Sequence, residues 1–429
     1  MNKIYNPEKS TWQALLQRPT KTVDDIEDVV NQVFQEVKEE GDSAVARYTK
    51  KFDKVALSSF LVTDEEVQEA IASVSKALKE AIQIAKQNIE RFHSAQKTTK
   101  VALETTFGVQ CWQEKRPIQK VGLYIPGGTA PLFSTILMLA VPATIAGCQE
   151  IVLCTPPDSE GKINPAILYT AQLCGVTKII KVGGIQAIAA MTFGTETVPK
   201  VYKIFGPGNQ YVTVAKQLAT KHNVAIDMPA GPSELLVVAD EVADASFVAS
   251  DLLSQAEHGI DSQVILVSTS KELIDDVENE VAKQLEELPR KEIAAQAIAN
   301  SKLFYVEDDE IALELINEYG PEHFIVCTVD QNYYVDNIAN AGSVFIGNYT
   351  PESAGDYASG TNHTLPTNGY AKQYSGVNLD SFMKSMTFQK ISQDGIMNIG
   401  NAIEIMAEAE GLQAHKNAVT LRLNKLKGE

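Results

Sequence analysis

The sequence predicts an α/β protein: two incomplete Rossmann-like domains built on parallel sheets, with a helical region before them and a helical arm after them. One observation is a series of short apolar runs ended by Gly or Pro, which is typical of buried parallel strands. A second series follows it, and amphipathic stretches separate the runs of both series. The first series is VGLYIPGG, EIVLCTPP, KIIKVGG and KIFGPGN, and the second begins at Leu235, Gln263, Leu303, Phe324 and Ser343.

The two ends of the chain carry helical patterns. Thr63 and Glu66 form a capping box, and apolar residues recur at helical spacing over 67–92, which predicts one helix of about 30 residues. After Val377 the pattern is helical to the end, with an interruption at Gly411. The predicted parts are therefore a helical N-terminal region at 1–105, α/β domains at 106–234 and 235–376, and a C-terminal helical arm at 377–429.

Composition excludes several classes of protein. Of the 429 residues, 44% are hydrophobic and 21% are charged, which is typical of packed globular proteins and not of disordered or collagen-like ones. The formal net charge of -18 would repel nucleic acids and anionic membrane surfaces. Five cysteines at irregular spacing, with no CxxC pair, favour reduced thiols and a cytoplasmic location. We therefore expect no nucleic-acid or membrane partner.

A long polar segment separates the last predicted strand from the C-terminal arm. Residues 347–376 contain five glycines together with Pro, Ser, Thr and Asn. A connector of this length without secondary structure is usually functional or disordered, and its Asp and His content favours function.

Gln255 and His258 are candidate metal ligands. They lie three positions apart near a helix end closed by Gly259, so both side chains face the same way. The alternative is a histidine placed favourably against the helix dipole. Asp356 and His415 could complete a nitrogen and oxygen ligand set, although spacing alone cannot assign ligands so distant in sequence.

Glu322 and His323 are a candidate acid–base pair. They follow Gly320 and Pro321 and precede the apolar run FIVC, which places them at the mouth of a strand. Two adjacent proton-transfer groups can serve one cleft. The alternative is a solvated turn with a histidine at the start of the strand.

The glycine-rich turns PGG, VGG and GPGN resemble dinucleotide-binding turns, with Asn209 close to the start of the following helix. No GxGxxG motif is present, so the turns alone favour ordinary α/β turn chemistry over a nucleotide site. Cys148 and Cys154 are the rival candidates for nucleophilic catalysis, but both lie beside apolar strands, where small buried thiols are common. The sequence contains no GxSxG, HExxH or Walker motif.

Several long motifs resemble the histidinol dehydrogenase family, in the family's order, from about Lys120 to the C-terminus. The longest is IDMPAGPSELLVVADEVADASFVASDLLSQAEHG at 226–259. The others are VGLYIPGGTAPLFST, VGGIQAIAA, KIFGPGN, YGPEH, TPESAGDYASGTNH and LQAHKNAVTLR.

The resemblance implies the NAD-dependent, four-electron oxidation of L-histidinol to L-histidine through the aldehyde, the last step of histidine biosynthesis. It implies that His323 is the general base, that Glu322 activates water, and that one Zn²⁺ per subunit positions the substrate. The residues that it implies are Gln255, His258, Asp356 and His415 as metal ligands that also contact the substrate; Ser233, His363 and Glu410, with His323, as further substrate contacts; and Tyr124, Gln186 and Asn209 at the NAD site.

The resemblance also implies a homodimer in which the C-terminal arm is exchanged, so that Glu410 and His415 would complete the site of the other subunit. On this view 106–234 is the NAD side and 235–376 the metal side. Two rival functions remain at this point: a zinc-dependent hydrolase with Glu322 as its base, and a metabolite-binding protein without turnover.

Overall fold

The protein, seen in a computed structural model that describes residues 1–19, 24–127, 131–229 and 231–428, alternates strands and helices through its central part. Its strands are β1 (Asn2–Tyr5), β2 (Val101–Thr106), β3 (Val109–Pro117), β4 (Lys120–Tyr124), β5 (Glu150–Cys154), β6 (Lys178–Ile180), β7 (Lys203–Phe205), β8 (Ala225–Ile226), β9 (Glu234–Ala239), β10 (Gln263–Ser268), β11 (Lys302–Tyr305), β12 (His323–Cys327), β13 (Ser343–Ile346) and β14 (Met383–Ile391).

The helices connect and cover these strands. They are α1 (Trp12–Leu15), α2 (Asp24–Glu40), α3 (Asp42–Phe52), α4 (Asp64–Ser73), α5 (Lys76–Ala95), α6 (Phe133–Ala146), α7 (Pro165–Leu173), α8 (Gly184–Phe193), α9 (Gln210–Thr220), α10 (Ala245–Ala256), α11 (Lys271–Leu285), α12 (Lys291–Ala299), α13 (Asp309–Tyr319), α14 (Gln331–Asn337), α15 (Glu352–Tyr357), α16 (Gln393–Ala409) and α17 (Gln413–Lys427). Within the described ranges, every helix is too short or too polar to cross a lipid bilayer.

Two parallel sheets confirm the predicted fold class. The first sheet has the order β6-β5-β4-β7-β8, and the second has the order β1-β11-β10-β9-β12-β13. Apart from β1, which adds a parallel edge strand, the two orders are the same. The order reverses between β4 and β7 in the first sheet and between β9 and β12 in the second. Every strand predicted in the two series is present.

Both sheets are buried on both faces, which explains why their strands read as unbroken apolar runs. In β5, Ile151 and Leu153 pack on the side of α5, α6 and α7, whereas Val152 and Cys154 face α2, α8 and α9. The second sheet is covered in the same way by α10, α11 and α12 on one face and by α1, α13 and α14 on the other.

Contacts divide the chain into two compact units. The first unit contains Met1–Gln96 and Ile118–Phe382, and so both parallel sheets. The second contains Lys97–Pro117 and the chain from Met383 onward, with the antiparallel sheet β14-β3-β2 and the paired helices α16 and α17. The predicted boundaries at 105, 234 and 376 stay a prediction.

The single long helix predicted after Thr63 is wrong. The capping box is present, but α4 ends at Ser73, Val74 takes an extended conformation, and α5 starts afresh. The cause is Ser75, whose side chain accepts a hydrogen bond from the Leu78 N–H at 3.2 Å and caps a second helix. The apolar period continues across the break, so periodicity alone did not reveal it.

The helical pattern predicted after Val377 is also wrong over its first part, SFMKSMTFQKIS at 381–392. This segment contains a 3₁₀ turn and then β14, which pairs antiparallel with β3 along its whole length. Phe388 stacks on Trp112, which lies 276 residues earlier in β3, with ring centroids 5.3 Å apart. The helical N-terminal region likewise contains two strands that were not predicted, β1 and most of β2. The interruption at Gly411 is confirmed, since it separates α16 from α17.

At the carboxyl edge of the second sheet, a carboxylate closes the point where the strand order reverses. Asp240 follows β9 and accepts hydrogen bonds from the N–H groups of Val242 at 3.1 Å and Val329 at 2.7 Å. The loops after β9 and β12 are thus joined to each other.

A buried ion pair fixes the turn after β7 in the first sheet. The Lys216 ammonium lies 2.5 Å from an Asp227 carboxylate oxygen and donates to the Gly206 carbonyl at 2.7 Å. The other Asp227 oxygen accepts from the Gly206 N–H at 2.8 Å. Both ends of Gly206 are therefore held, and the turn that carries Asn209 starts from a fixed point.

We expect Lys216→Met to lower the free energy of unfolding by about 3–5 kcal/mol, because it leaves the Asp227 carboxylate buried without its cation. Urea unfolding monitored by circular dichroism measures the change. Lys221→Met, at the exposed end of the same helix, should stay within about 0.5 kcal/mol of wild type. A loss in Lys216→Met no larger than in this control would contradict the role of the pair.

Candidate active site

Two adjoining cavities occupy the first unit. The first cavity has a volume of about 1130 Å³ and opens at the carboxyl edge of the first sheet, where residues after β4, β5, β6 and β7 line it. The second has a volume of about 570 Å³. Four residues line both: Tyr124, Pro126, Gly127 and Asn209. The cavities thus meet at the β4–β7 reversal, the place where ligands bind in open α/β sheets.

Residues from both sheets line the second cavity, but the sheets present opposite ends. The first sheet contributes the loops after β4 and β7, which are carboxyl ends. The second contributes Ser233, just before β9, together with Glu322 and His323 at the amino end of β12. The polar residues predicted from sequence that line this cavity are Ser233, Gln255, His258, Glu322, His323, Asp356 and His363, together with the shared Tyr124 and Asn209.

His323 is buried, and its two ring nitrogens have different surroundings. Nδ1 lies 3.1 Å from the Glu234 carbonyl oxygen, which makes it the donor of that hydrogen bond. Nε2 is 3.5 Å from Asp356 Oδ1 and has no hydrogen-bond partner within the described residues. In the neutral form of this imidazole, the lone pair is therefore on the nitrogen that faces Asp356.

Two buried carboxyl groups lie behind Nδ1. Glu322 Oε2 and Glu352 Oε1 are each 3.7 Å from it. Glu322 accepts from the Glu234 N–H at 2.9 Å, and Glu352 accepts from the Ser254 hydroxyl at 2.8 Å. Burial raises the pKa of both carboxyls to about 8.

The same carboxylates act on the imidazole. Burial disfavours the charged ring, but the acidic groups around it outweigh that effect and raise the pKa of His323 to about 10. In Asp356, burial is likewise outweighed, here by the nearby histidines, and the pKa is lowered. These acidic groups therefore favour the protonated ring at neutral pH.

Gln255 and His258, at the end of α10, have the properties expected of metal ligands. The amide of Gln255 is buried, and neither its nitrogen nor its oxygen has a hydrogen-bond partner within the described residues. His258 is exposed to the cavity, and the surrounding protein lowers its pKa, so the ring is neutral at neutral pH. An unpartnered amide and a neutral imidazole suit a cation that comes from outside the chain.

The described residues also contain a compact metal-ligand cluster, made of His323, Glu352 and Asp356, whose ligand atoms lie within 4.8 Å of one another. It shares only Asp356 with the predicted ligand set. Glu352 was not predicted, and its neighbour Asp356 lies one turn further along α15. The predicted set of Gln255, His258, Asp356 and His415 stays a prediction.

The remaining predicted substrate residues fall into both units. The His363 Nδ1 donates to the Asp356 carbonyl at 2.9 Å, and Nε2 lies 3.1 Å from the Thr135 hydroxyl oxygen. Burial lowers the pKa of His363. Glu410 follows α16 and His415 lies in the first turn of α17, both in the second unit.

The three predicted NAD residues differ in their exposure to the first cavity. Tyr124 and Asn209 line it; the Tyr124 hydroxyl accepts from the Gly184 N–H at 3.1 Å, and Asn209 caps α9. Gln186 is fully buried and donates to Asp53 at 3.3 Å. Asp53, which does line the cavity, was not predicted.

The cysteines are unsuited to nucleophilic catalysis. All five are free. Burial raises the pKa of Cys148 to about 12 and that of Cys154 still further, and neither residue lines one of the two cavities. A thiol must ionise to attack, so the acid–imidazole pair is the better candidate for the chemistry.

Sequence reasoning missed the groups that support the site. Arg18 forms a bidentate ion pair with the buried Glu234, and the Asn368 N–H donates to the same carboxylate at 2.6 Å. Glu352 could have been noticed as the acid four positions before Asp356. Nothing in the local sequence marked Arg18 or Glu234.

The fold and the site together define an α/β enzyme, with a buried acid–base pair beside a cavity at a sheet reversal. The family model for histidinol dehydrogenase matches residues 16–423. A histidinol dehydrogenase of Bacteroides thetaiotaomicron is 61% identical over 427 residues and covers 100% of both chains, and one of Campylobacter jejuni is 52% identical over 422 residues and covers 98% of both. The crystal structure of histidinol dehydrogenase from Elizabethkingia anophelis matches with a TM-score of 0.98 and 57% identity, covering 100% of this chain and 99% of that one. The chain belongs to the histidinol dehydrogenase family.

We expect Gln255→Leu to stabilise the metal-free protein by about 1–3 kcal/mol, because leucine has a similar volume and removes an unpaired buried amide. Thermal unfolding in excess EDTA measures this. Gln263→Leu is the matched control, since that buried amide donates to the Gln17 carbonyl and accepts from the Tyr319 hydroxyl. The control should lose stability; equal losses in both variants would show that the Gln255 amide is not left unpaired.

Proposed function

We propose that the protein oxidises L-histidinol to L-histidine in two NAD⁺-dependent steps, the last reaction of histidine biosynthesis. The observation that carries the proposal is the Nε2 of His323, which has no hydrogen-bond partner among the described residues and lies in a cavity shared with Glu322, Gln255 and His258. Membership of the histidinol dehydrogenase family supports the choice of substrate.

The reaction requires two kinds of proton transfer. In the first step, the alcohol loses a proton from oxygen and a hydride from carbon to give the aldehyde, NADH and H⁺. Water then adds to the aldehyde. The resulting hydrate loses another proton and hydride to give the carboxylic acid and a second NADH, and the acid ionises. One base must therefore serve both oxidations, and a second group must deprotonate water.

His323 is the proposed base for both oxidations. In the neutral ring, Nδ1 donates to the Glu234 carbonyl and Nε2 holds the lone pair that takes the substrate proton. A metal ion bound beside Asp356 would offset the negative charge that favours the protonated ring. Glu322 and Glu352, both 3.7 Å from Nδ1, stabilise the imidazolium that forms. The two acids thus act on the ring by charge, while a backbone carbonyl accepts the Nδ1 hydrogen bond and fixes the orientation of the ring.

Glu322 is the proposed activator of water. Its carboxylate lines the cavity next to His323, and one of its oxygens is held by the Glu234 N–H. Burial raises its pKa to about 8, so its ionised form is a stronger base than a solvated glutamate, and this form predominates above about pH 8.

Zn²⁺ is the proposed cofactor, one per subunit, held by Gln255, His258, Asp356 and His415. The unpartnered Gln255 amide and the neutral His258 ring fit this role. When bound, the metal orients the substrate and retains the reactive aldehyde. A metal held instead by His323, Glu352 and Asp356 would occupy the lone pair that the base needs, which is why we favour the first set.

NAD⁺, which accepts the hydride in each oxidation, is proposed to bind in the first cavity at Tyr124, Gln186 and Asn209. Because Tyr124 and Asn209 line both cavities, a molecule bound there reaches the proposed substrate site. Ser233, His363 and Glu410 are the remaining proposed substrate contacts.

A homodimer with a shared site is the proposed assembly. The second unit exposes large apolar side chains that a monomer would leave in water, which is typical of an interface. They include Leu103, Phe107, Ile405, Met406 and Leu421, with exposed fractions of 58–70%. The five free cysteines support a reducing compartment, the cytoplasm.

Two ratios test the proposal: the NADH formed per histidinol consumed, and the Zn²⁺ bound per subunit. We expect two NADH per L-histidinol consumed, read by absorbance, and one Zn²⁺ per subunit by metal analysis of the purified enzyme. Removal of the metal should abolish turnover, and added Zn²⁺ should restore it. Turnover of a substrate without NADH formation would instead indicate a zinc hydrolase, and zinc without turnover would indicate a binding protein.

The two proton-transfer roles make different predictions. His323→Gln should lower the rates of both oxidations by about 10²–10⁴-fold, because both need the base. Glu322→Gln should slow histidinaldehyde oxidation much more than reduction of the aldehyde by NADH, because only oxidation needs water. Stopped-flow measurement of each half-reaction separates the two, and equal losses in Glu322→Gln would refute the separate role.

The shared site predicts complementation between inactive subunits. His258→Ala alters the first unit only, and His415→Ala alters the second unit only. If each site combines the first unit of one subunit with the second unit of the other, mixed dimers contain one intact site, and refolding an equal mixture should restore about a quarter of wild-type activity. If each site is built within one chain, the mixture should remain inactive.

A further inference from the structure

One residue holds both of the proposed proton-transfer groups through its backbone. The Glu234 N–H donates to Glu322 Oε2 at 2.9 Å, and the Glu234 carbonyl accepts from His323 Nδ1 at 3.1 Å. Glu234 begins β9 and His323 begins β12, and the two strands pair in parallel from this end. The position of residue 234 therefore sets where the Glu322 carboxylate and the His323 ring lie.

The side chain of Glu234 is anchored away from the substrate. Its carboxylate is almost fully buried and lines neither of the two cavities. It accepts two hydrogen bonds from the Arg18 guanidinium, one from Nε and one from Nη2 at 2.8 Å, and a third from the Asn368 N–H at 2.6 Å. A bidentate pair of this kind fixes the carboxylate in direction as well as in distance.

Arg18 is also bound to the chain that leads into β12. Its Nη2 donates to the Tyr319 carbonyl at 2.9 Å, and the central carbon of its guanidinium lies 4.0 Å from the centroid of the Tyr319 ring. Tyr319 ends α13, and only Gly320 and Pro321 separate it from Glu322. One guanidinium thus connects the start of β9 with the segment that carries Glu322 and His323.

The N-terminal segment has other anchors on the second sheet. Trp12 and Leu16 of this segment are buried in the apolar core that β9, β12 and α13 share. A buried ion pair is often no more stabilising than apolar residues of similar size. Arg18 lines neither cavity, so an effect of its side chain on the reaction must pass through other residues. The distinct contribution of the pair is a fixed geometry at residue 234.

We propose that Arg18 is a positioning residue for the reaction: it fixes Glu234, whose peptide groups hold both the water activator and the base. The inference rests on the proposed roles of Glu322 and His323. Lysine is an incomplete substitute, because an ammonium lacks the planar pair of donors that a carboxylate accepts side by side.

The first test is the effect of Arg18→Met on the kinetic constants. We expect kcat for histidinol oxidation to fall about 10–100-fold, because a displacement of about 1 Å at the reacting groups can cost that much. The KM values of histidinol and NAD⁺ should stay within about two-fold of wild type, because substrate binding does not involve the guanidinium. Arg18→Lys, which keeps the charge, should lose less of kcat than Arg18→Met.

The second test is a double-mutant cycle with Glu234→Leu. Arg18→Met made in the Glu234→Leu background should change kcat by less than about two-fold, because both side chains act through the same peptide groups. The double variant replaces a buried ion pair with apolar residues, which favours a folded protein. A loss of kcat equal to the product of the two single losses would show that Arg18 acts by another route, and would overturn the inference.

Leu16→Ala is the matched control. It removes a buried side chain from the same segment and lowers stability, but keeps the guanidinium. Urea unfolding measures the loss of stability in both variants, and kcat of the control should stay within about two-fold of wild type at temperatures where both are folded.

A fall of kcat in Leu16→Ala equal to that in Arg18→Met would show a general effect of loosening the segment, and would overturn the inference. A folded Arg18→Met enzyme with wild-type kcat would overturn it as well. In either case, wild type that forms two NADH per histidinol keeps the proposed function. Wild type that forms no NADH from histidinol would overturn the proposed function and this inference together.

Discussion

Charge balance around the amino end of β12 is the constraint on which the site depends. Glu234, Glu322 and Glu352 are almost fully buried, and each would be costly as an isolated carboxylate. Arg18 pairs with the first, and the His323 ring lies among the other two. The same acids that need a nearby positive charge therefore keep the imidazole in place. The position of the proposed base is thus fixed when this edge of the sheet folds.

The two parallel sheets share one strand order, but opposite edges of them line the site. The first sheet follows the usual rule, with a cavity at the carboxyl ends of its strands where the order reverses. The second sheet contributes its amino edge, at Ser233 and His323, together with the end of α10. The first cavity thus belongs to one sheet, and the proposed proton-transfer residues Glu322 and His323 belong to the other. Changes in one sheet can therefore alter the cavity without moving these residues.

Most of the fold could be predicted from sequence because its strands are buried on both faces and read as apolar runs between turn residues. The failures have a common cause: Ser75 capping a new helix and β14 pairing with a distant strand are decided by particular hydrogen bonds and partners, and not by periodicity. Adjacency revealed Glu322 and His323 as a candidate pair. Glu352 and Asp53 become candidates only through contacts with residues distant in sequence, His323 and Gln186. Local sequence patterns do not contain those contacts.

The carboxyl edge of the second sheet contributes to neither of the two cavities. Asp240 ties the loops after β9 and β12 to each other, and residues 240–244 and 328–330 are absent from both cavity linings. In open α/β sheets a ligand binds at such a reversal point, but here the Asp240 carboxylate occupies it and both cavities lie elsewhere. Peptide insertions or reporter fusions are best accommodated in these loops, provided that Asp240 and its hydrogen bonds to Val242 and Val329 are retained.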